Sequence, residues 1–231
     1  MGLLSRLLRS RPSLGPELEV RLQRLSELSP PPTRSTHRQS RYVTVDVETT
    51  GLDMRHDHVL SIGAVAVEHG VIALAHCFEV VLRQAESSSH DNILVHRIGG
   101  QRQLGGEDPA ESFVRFLEYV GHCPLVAFRA EFDQTMLDRA LKEHLNIVSQ
   151  SQWLDLAELL PALYPSNENK TMDDWLAAMN IHMLARHDAL ADALATAQML
   201  QVCLRQAESL EMTCPAHLLE MQRAQHWLGK R

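Results

Sequence analysis

From Tyr42 to Leu82 the apolar positions alternate with polar ones or run together in strand-length blocks. Beyond residue 108 they recur every three or four residues. The first pattern predicts strands and the second amphipathic helices. A first strand starts at Tyr42 with Val43, Val45 and Val47 and is stopped by Thr49, Thr50 and Gly51. Val59 to Glu68 reads as a second strand, His69–Gly70 as a hairpin turn and Val71 to Leu82 as a third. Residues 84–92 are polar enough for a loop, and the glycines at 99, 100, 105 and 106 make residues 93–104 irregular. Asp108–Pro109 opens a helix with Phe113, Phe116, Leu117 and Val120 on its apolar face. Pro124 to Phe128 is a short buried strand, and Glu131 to Leu145 a helix with Phe132, Met136, Leu137 and Leu141 facing the core. Trp153 to Leu156 gives a fifth strand that runs into a helix ending at Leu163, and a loop follows to Lys170. Thr171 caps another helix, Asp188 to Gln206 forms a long Ala-rich one, and the tail is partly helical. A three-strand antiparallel meander followed by alternating helices and strands predicts an α/β domain with a mixed five-stranded sheet flanked by helices.

The first 41 residues read differently. Leu3, Leu4, Leu7 and Leu8 form a short stripe, and Leu18, Leu22 and Leu25 continue at helical spacing after Gly15–Pro16. This predicts a helical arm over residues 1–29 that packs on the domain, then a Pro-rich linker over residues 30–41. The main domain then occupies residues 42–206, and residues 207–231 form a helical tail. Eight Arg against three Glu give residues 1–41 a balance of +5, so with a net charge of −7 the remainder carries −12. Such a field does not capture nucleic acid at long range, and a polyanion has to be held locally. The Arg-rich start resembles a targeting peptide, but Glu17 and Glu19 follow soon after, and Gly2 has Arg6 where myristoylation wants Ser or Thr. No apolar run approaches the ~18 residues that span a membrane. The four cysteines have no paired C-x-x-C spacing, which points to a reducing cytoplasm rather than a zinc or disulfide framework.

The acids change the picture most. Asp46 and Glu48 lie two apart on an apolar strand, so both carboxylates point to one face. That arrangement is costly without a cation between them, and a divalent metal is the natural one. Asp133 in AEFDQTML and Asp192 in HDALADALATAQML are also set among apolar neighbours, and His187 precedes Asp192 by five residues. Four carboxylates suit two Mg²⁺ or Mn²⁺ ions about 3.5–4 Å apart that assist phosphodiester hydrolysis. A His titrating near neutrality can take the proton from the attacking water. The remaining acids have structural readings: Asp53, Asp57, Asp91, Asp108 and Asp138 as turn, cap or surface groups, Asp155 as a helix cap, and Asp173 and Asp174 at a helix N-terminus.

Three segments, DVETTG, AEFDQTML and H-x-x-x-x-D, resemble in order and spacing the three motifs of the DnaQ-like exonucleases, the DEDDh group of 3′–5′ exonucleases with an RNase H-like fold. The resemblance covers residues 42–205. It implies that Asp46 bridges two metal ions, that Glu48 and Asp192 complete the first ion's shell, that Asp133 holds the second, and that His187 is the general base. It further implies that Thr49, Thr50, Gly51 and Leu52 meet the 3′-terminal nucleotide of a nucleic acid, with single-stranded ends the expected substrate. One motif departs from the pattern: Phe128-Arg129-Ala130 stands where the family has His-Asn-Ala. Arg129 can hold a phosphate there, and Phe128 can stack on a base or finish a buried strand. Two other readings compete. One is an HD-type phosphohydrolase using His56–Asp57, His90–Asp91 and His187–Asp188, which leaves Asp46 and Glu48 without a role. The other is a nuclease-like module that serves a partner such as a polymerase. The family's proofreading subunits carry a longer C-terminal extension, so a stand-alone enzyme is expected.

Overall fold

The computed structural model describes residues 14–166 and 171–228, so the predicted stripe at Leu3, Leu4, Leu7 and Leu8 and the loop residue Lys170 lie outside the described residues. The chain forms a mixed sheet. β1 (Arg41–Thr49) pairs antiparallel with β2 (Val59–Glu68), and β2 pairs antiparallel with β3 (Val71–Ile72) and β4 (Phe78–Val81). On the other side of β1 lie β5 (Leu125–Ala127) and then β6 (Trp153–Asp155), both parallel. The strand order is β3-β2-β1-β5-β6, with β4 also on β2, the RNase H-like arrangement expected.

The single third strand expected over residues 71–82 is two strands. Between the pairs Val67–Ile72 and Ala64–Phe78, residues 65–66 of β2 face residues 73–77 of its partner. The surplus residues loop out as a 3₁₀ turn at Leu74–His76, so β3 and β4 share one edge of the sheet. Of residues 93–104, expected to be irregular, 93–96 and 100–104 lie in two short helices, α2 (His90–His96), which starts inside the expected loop over 84–92, and α3 (Gly100–Leu104). Ser89 caps α2, and Arg97 ends it in the left-handed region at φ 58°. The glycines flank α3, at its N-cap and C-cap, rather than abolish it.

Alternation along β1 divides the interior in two. Val43, Val45 and Val47 face a core built with α4 (Pro109–Val120) and α5 (Ala130–His144). Tyr42 belongs to a second core with α6 (Leu156–Leu163), α7 (Met172–Ala178), α8 (Ala189–Ser209) and α9 (Pro215–Leu228). Gln222 of α9 accepts from the Asp155 N–H at 2.8 Å and donates to Trp153 O at 3.3 Å, which covers the free edge of β6. The N-terminal helix α1 (Pro16–Glu27) lays Leu18 and Leu22 against the first core, and Arg21 bonds Glu111 and Glu118 of α4. No described helix is long and apolar enough to cross a membrane.

Candidate metal and catalytic site

The site forms where β1 outruns its neighbour. β1 pairs with β5 only at Val43 and Thr44 and continues to Thr49. Beyond that pairing the Val47 N–H has no strand partner, and Asp133 Oδ1 accepts it at 3.1 Å. Asp133 reaches this position from the first turn of α5 and is 6% exposed. On β1, Asp46 and Glu48 point to the α8 side, and the pairing with β2 shifts register between Glu48 and Thr49. Such a bulge re-aims side chains at the end of a strand.

The third carboxylate comes from α8. Asp46, Glu48 and Asp192 each offer an oxygen, and the three oxygens lie within 4.8 Å of one another. Two residues that sequence reasoning did not single out for this bring the helix so close. Gly63 faces Asp46 across the β1–β2 ladder. A Cβ at Gly63 would lie 2.2 Å from Ala189 C and 2.3 Å from Leu190 N. The buried Thr44 hydroxyl lies 2.8 Å from Ala193 O and 3.1 Å from Val65 O, so it ties the strand to the helix. A glycine and a threonine inside apolar strands were the signals for this close approach.

Crowding three acids in a sheltered place raises their proton affinity. Burial, then the fields of Asp133, Asp192, Glu48 and Asp188, push Asp46 well above the usual carboxylate range. Glu48 is pushed up to about 7 by burial, then by Asp192, Asp188 and Asp133. Burial also lifts Asp133 to about 7, against the stabilising N–H of Val47. Asp192 is raised by burial in spite of Arg186, His187 and two backbone N–H groups that favour its charged form. Hard oxygens converging at this spacing, with proton affinities raised by burial and by one another, fit a divalent cation.

His187 is exposed, lies in the left-handed region at φ 55°, and directly precedes Asp188, whose side chain caps α8 through the Ala191 N–H at 3.0 Å. His187, Phe128 and Arg129 line one cleft of about 320 Å³ together with Asp46, Asp192, Asp173 and Arg186. Phe128 is partly buried against the second core, one residue past the end of β5. Arg129 is exposed in the left-handed region at φ 63°, and its N–H and that of Ala130 donate to Asp155 at 2.8 and 3.0 Å. Asp155 therefore holds the start of α5 as well as capping α6 through the Ala157 N–H at 2.8 Å, so its role as a cap extends to the helix that carries Asp133.

Thr49 to Leu52 follow the acids but do not line that cleft. The Thr49 hydroxyl donates to Gly51 O at 2.6 Å, and the Thr50 hydroxyl to Asp57 at 2.7 Å. A Cβ at Gly51 would lie 2.5 Å from the Asp57 carboxylate, so the loop closes tightly. Leu52 projects from it, 86% exposed. Asn92 of α2 donates to Thr49 O at 3.1 Å and accepts from the buried His96, so His96 supports this loop from behind. A larger hollow, about 640 Å³, lies beyond Thr50, and none of the five motif residues lines it. Asp57 is spent on the loop, and among the described residues the one cluster suited to a metal is that of Asp46, Glu48 and Asp192. The HD-type arrangement is therefore not assembled by these residues.

A mixed α/β sheet that gathers three carboxylates at the end of β1 has the donor set of a metal-dependent hydrolase. The chain belongs to the exonuclease family, whose model matches residues 43–200, and this agrees with the DnaQ-like motifs. It is 30% identical over 167 residues to the PolC-type DNA polymerase III of Bacillus subtilis, which covers 72% of this chain and 12% of the polymerase. The corresponding protein of Listeria monocytogenes is 28% identical over 170 residues, 73% of this chain and again 12% of the polymerase. The chain thus spans about 12% of the length of these relatives. Among solved structures, E. coli Exonuclease I in complex with a dT13 oligonucleotide superposes with a TM-score of 0.63 at 18% identity, over 74% of this chain and 42% of that one. Exonuclease X in complex with 5′ overhanging duplex DNA gives 0.62 at 18% identity, over 78% of this chain and 99% of that one. At these identities the likeness is one of fold.

Proposed function

We propose that the chain removes nucleoside 5′-monophosphates one at a time from the 3′ end of a DNA strand by metal-dependent hydrolysis. The observation that carries this reading is the meeting of Asp46, Glu48 and Asp192 oxygens within 4.8 Å beside the cleft that His187 lines. Asp46, Glu48 and Asp192 would hold one Mg²⁺ or Mn²⁺ ion, and Asp46 with Asp133 a second. Such ions supply Lewis-acid polarisation of the phosphoryl group and stabilise the leaving oxygen. His187 takes the proton of the attacking water, and its exposed position lets it pass that proton to solvent. Leu52 lies against the terminal base or sugar, with the backbone of residues 49–51 at the 3′-hydroxyl. Arg129 holds a phosphate of the strand and Phe128 offers a face for stacking.

The DNA oligonucleotide and the 5′ overhanging duplex belong to the solved relatives, and they favour DNA ends as the first substrates to test. A panel of 5′-labelled and 3′-labelled DNA and RNA strands, incubated with Mg²⁺ or Mn²⁺, reads polarity and sugar preference together. A ladder shortening from the 3′ end is expected, and Asp46→Ala or Asp192→Ala should abolish it. Retained degradation in either variant would falsify the reading. The likeness to part of a DNA polymerase supports a second reading, in which the domain serves a polymerase partner. Co-purification with a polymerase, and activity raised by it, would favour that one.

A further inference from the structure

The segment that carries His187 is held at few points: Met183 packs against the second core, and the His187 N–H serves the Asp192 carboxylate. Among the described residues, 182–187 make no backbone–backbone hydrogen bond, and Leu184 is 83% exposed. His187 itself adopts a left-handed conformation at φ 55°, a region that few non-glycine residues occupy. Two further anchors flank it. On the C-terminal side Asp188 caps α8. On the N-terminal side the Arg186 guanidinium grips Asp173 with both nitrogens, at 2.6 and 2.8 Å, and one of them also lies 3.2 Å from Met183 Sδ. Asp173 is in the first turn of α7, a helix fixed by a reciprocal capping pair between Thr171 and Asp174 and by the buried Trp175.

We infer that Arg186 and Asp173 are positioning residues for His187: their bidentate pair ties the His187 segment to α7 and sets where the imidazole stands over the cleft. This rests on His187 being the general base. An exposed ion pair adds little to global stability. A planar fork that accepts two parallel bonds nevertheless fixes direction, and here the described residues supply few other constraints. A base displaced by about 1 Å from its productive place loses rate, while substrate contacts elsewhere in the cleft stay as they were.

Steady-state kinetics on a 5′-labelled oligodeoxynucleotide with Mn²⁺ tests this, using Arg186→Gln, Asp173→Asn and Arg186→Lys, each with His187 intact and with His187→Ala. Arg186→Gln and Asp173→Asn should each lower kcat roughly ten- to a hundredfold, with KM moved less than about twofold. Arg186→Lys, which keeps the charge but not the fork, should fall between them and the wild type. In the His187→Ala background none of the three should lower kcat further. Thermal melts of the same proteins should match the parent, since the pair is exposed. A rise in KM at unchanged kcat would mean that Arg186 binds the strand directly, and the same loss of kcat without His187 would mean that the pair acts elsewhere; either result overturns the inference. If His187→Ala leaves kcat intact, the general-base assignment fails. If His187→Ala lowers kcat while Arg186→Gln does not, the positioning pair alone fails.

Discussion

Glu48 shows what crowding carboxylates together costs a fold. Its proton affinity is raised to about 7 because burial and three neighbouring acids disfavour the charged form. The folded chain therefore binds this proton more tightly than the unfolded chain, whose value lies near 4.5. Stability tied to Glu48 is highest below that value and is lost as pH rises through about 7. In EDTA, Glu48→Gln should be more stable than wild type by about 1–3 kcal/mol at pH 8, and the gap should close as pH falls toward 4.5. Urea denaturation at several pH values measures it, and a gap that does not depend on pH would contradict the assignment. Added Mg²⁺ or Mn²⁺ should reverse the order by stabilising the wild type alone. Metal binding near neutral pH should also release protons, seen as a dependence of the titration heat on the buffer's ionisation enthalpy.

At the scale of elements, two junctions set the geometry. The first is the contact of α8 with β2 at Gly63, where the helix backbone takes the space of a side chain. Gly63→Ala must push the start of α8, and with it Asp192, away from Asp46. We expect a loss of about 1–3 kcal/mol in urea melts and a fall in kcat of at least about tenfold. Normal activity would show that α8 can be displaced without harm. The second junction is Asp155, which accepts three backbone N–H groups from the starts of α5 and α6. Asp155→Ala leaves those donors without their acceptor and should cost about 2–4 kcal/mol. Because α5 carries Asp133, activity should fall further than the loss of folded protein explains, which activity per folded molecule would report.

For the molecule as a whole, His37 closes the far end of the sheet. It is buried, with Nδ1 2.6 Å from the Tyr42 hydroxyl and Nε2 3.0 Å from Met212 O. A carbonyl can only accept, so Nε2 carries the hydrogen and Nδ1 accepts from Tyr42. Protonation would break that second bond, and burial accordingly lowers the proton affinity of His37 below the usual 6.5. A histidine depressed in the folded state contributes stability that is present above 6.5 and lost as pH falls toward its folded value. His37→Gln should therefore lose less stability than wild type between pH 7.5 and 5.5, read from thermal melts. An equal loss would assign the pH dependence to His96 and His144, which burial also depresses.

The sequence by itself determined the α/β class, the order of most elements, and the five residues whose spacing resembles the exonuclease motifs. Local rules suffice for these: alternation marks a strand, helical spacing marks an apolar face, and an Asp or Thr before a helix caps it. Only the tertiary structure decided that Asp46, Glu48 and Asp192 converge while Asp133 spends one oxygen on Val47 N–H, because that depends on where β5 stops short of β1. It also decided that residues 71–82 break into two strands and that residues 93–96 and 100–104 fall in helices with His96 and Gln103 buried. Local composition reads those segments as one strand and a loop. The closeness of Gly63 to α8 and the grip of Arg186 on Asp173 are long-range meetings, and no periodicity along the chain encodes a meeting of that kind.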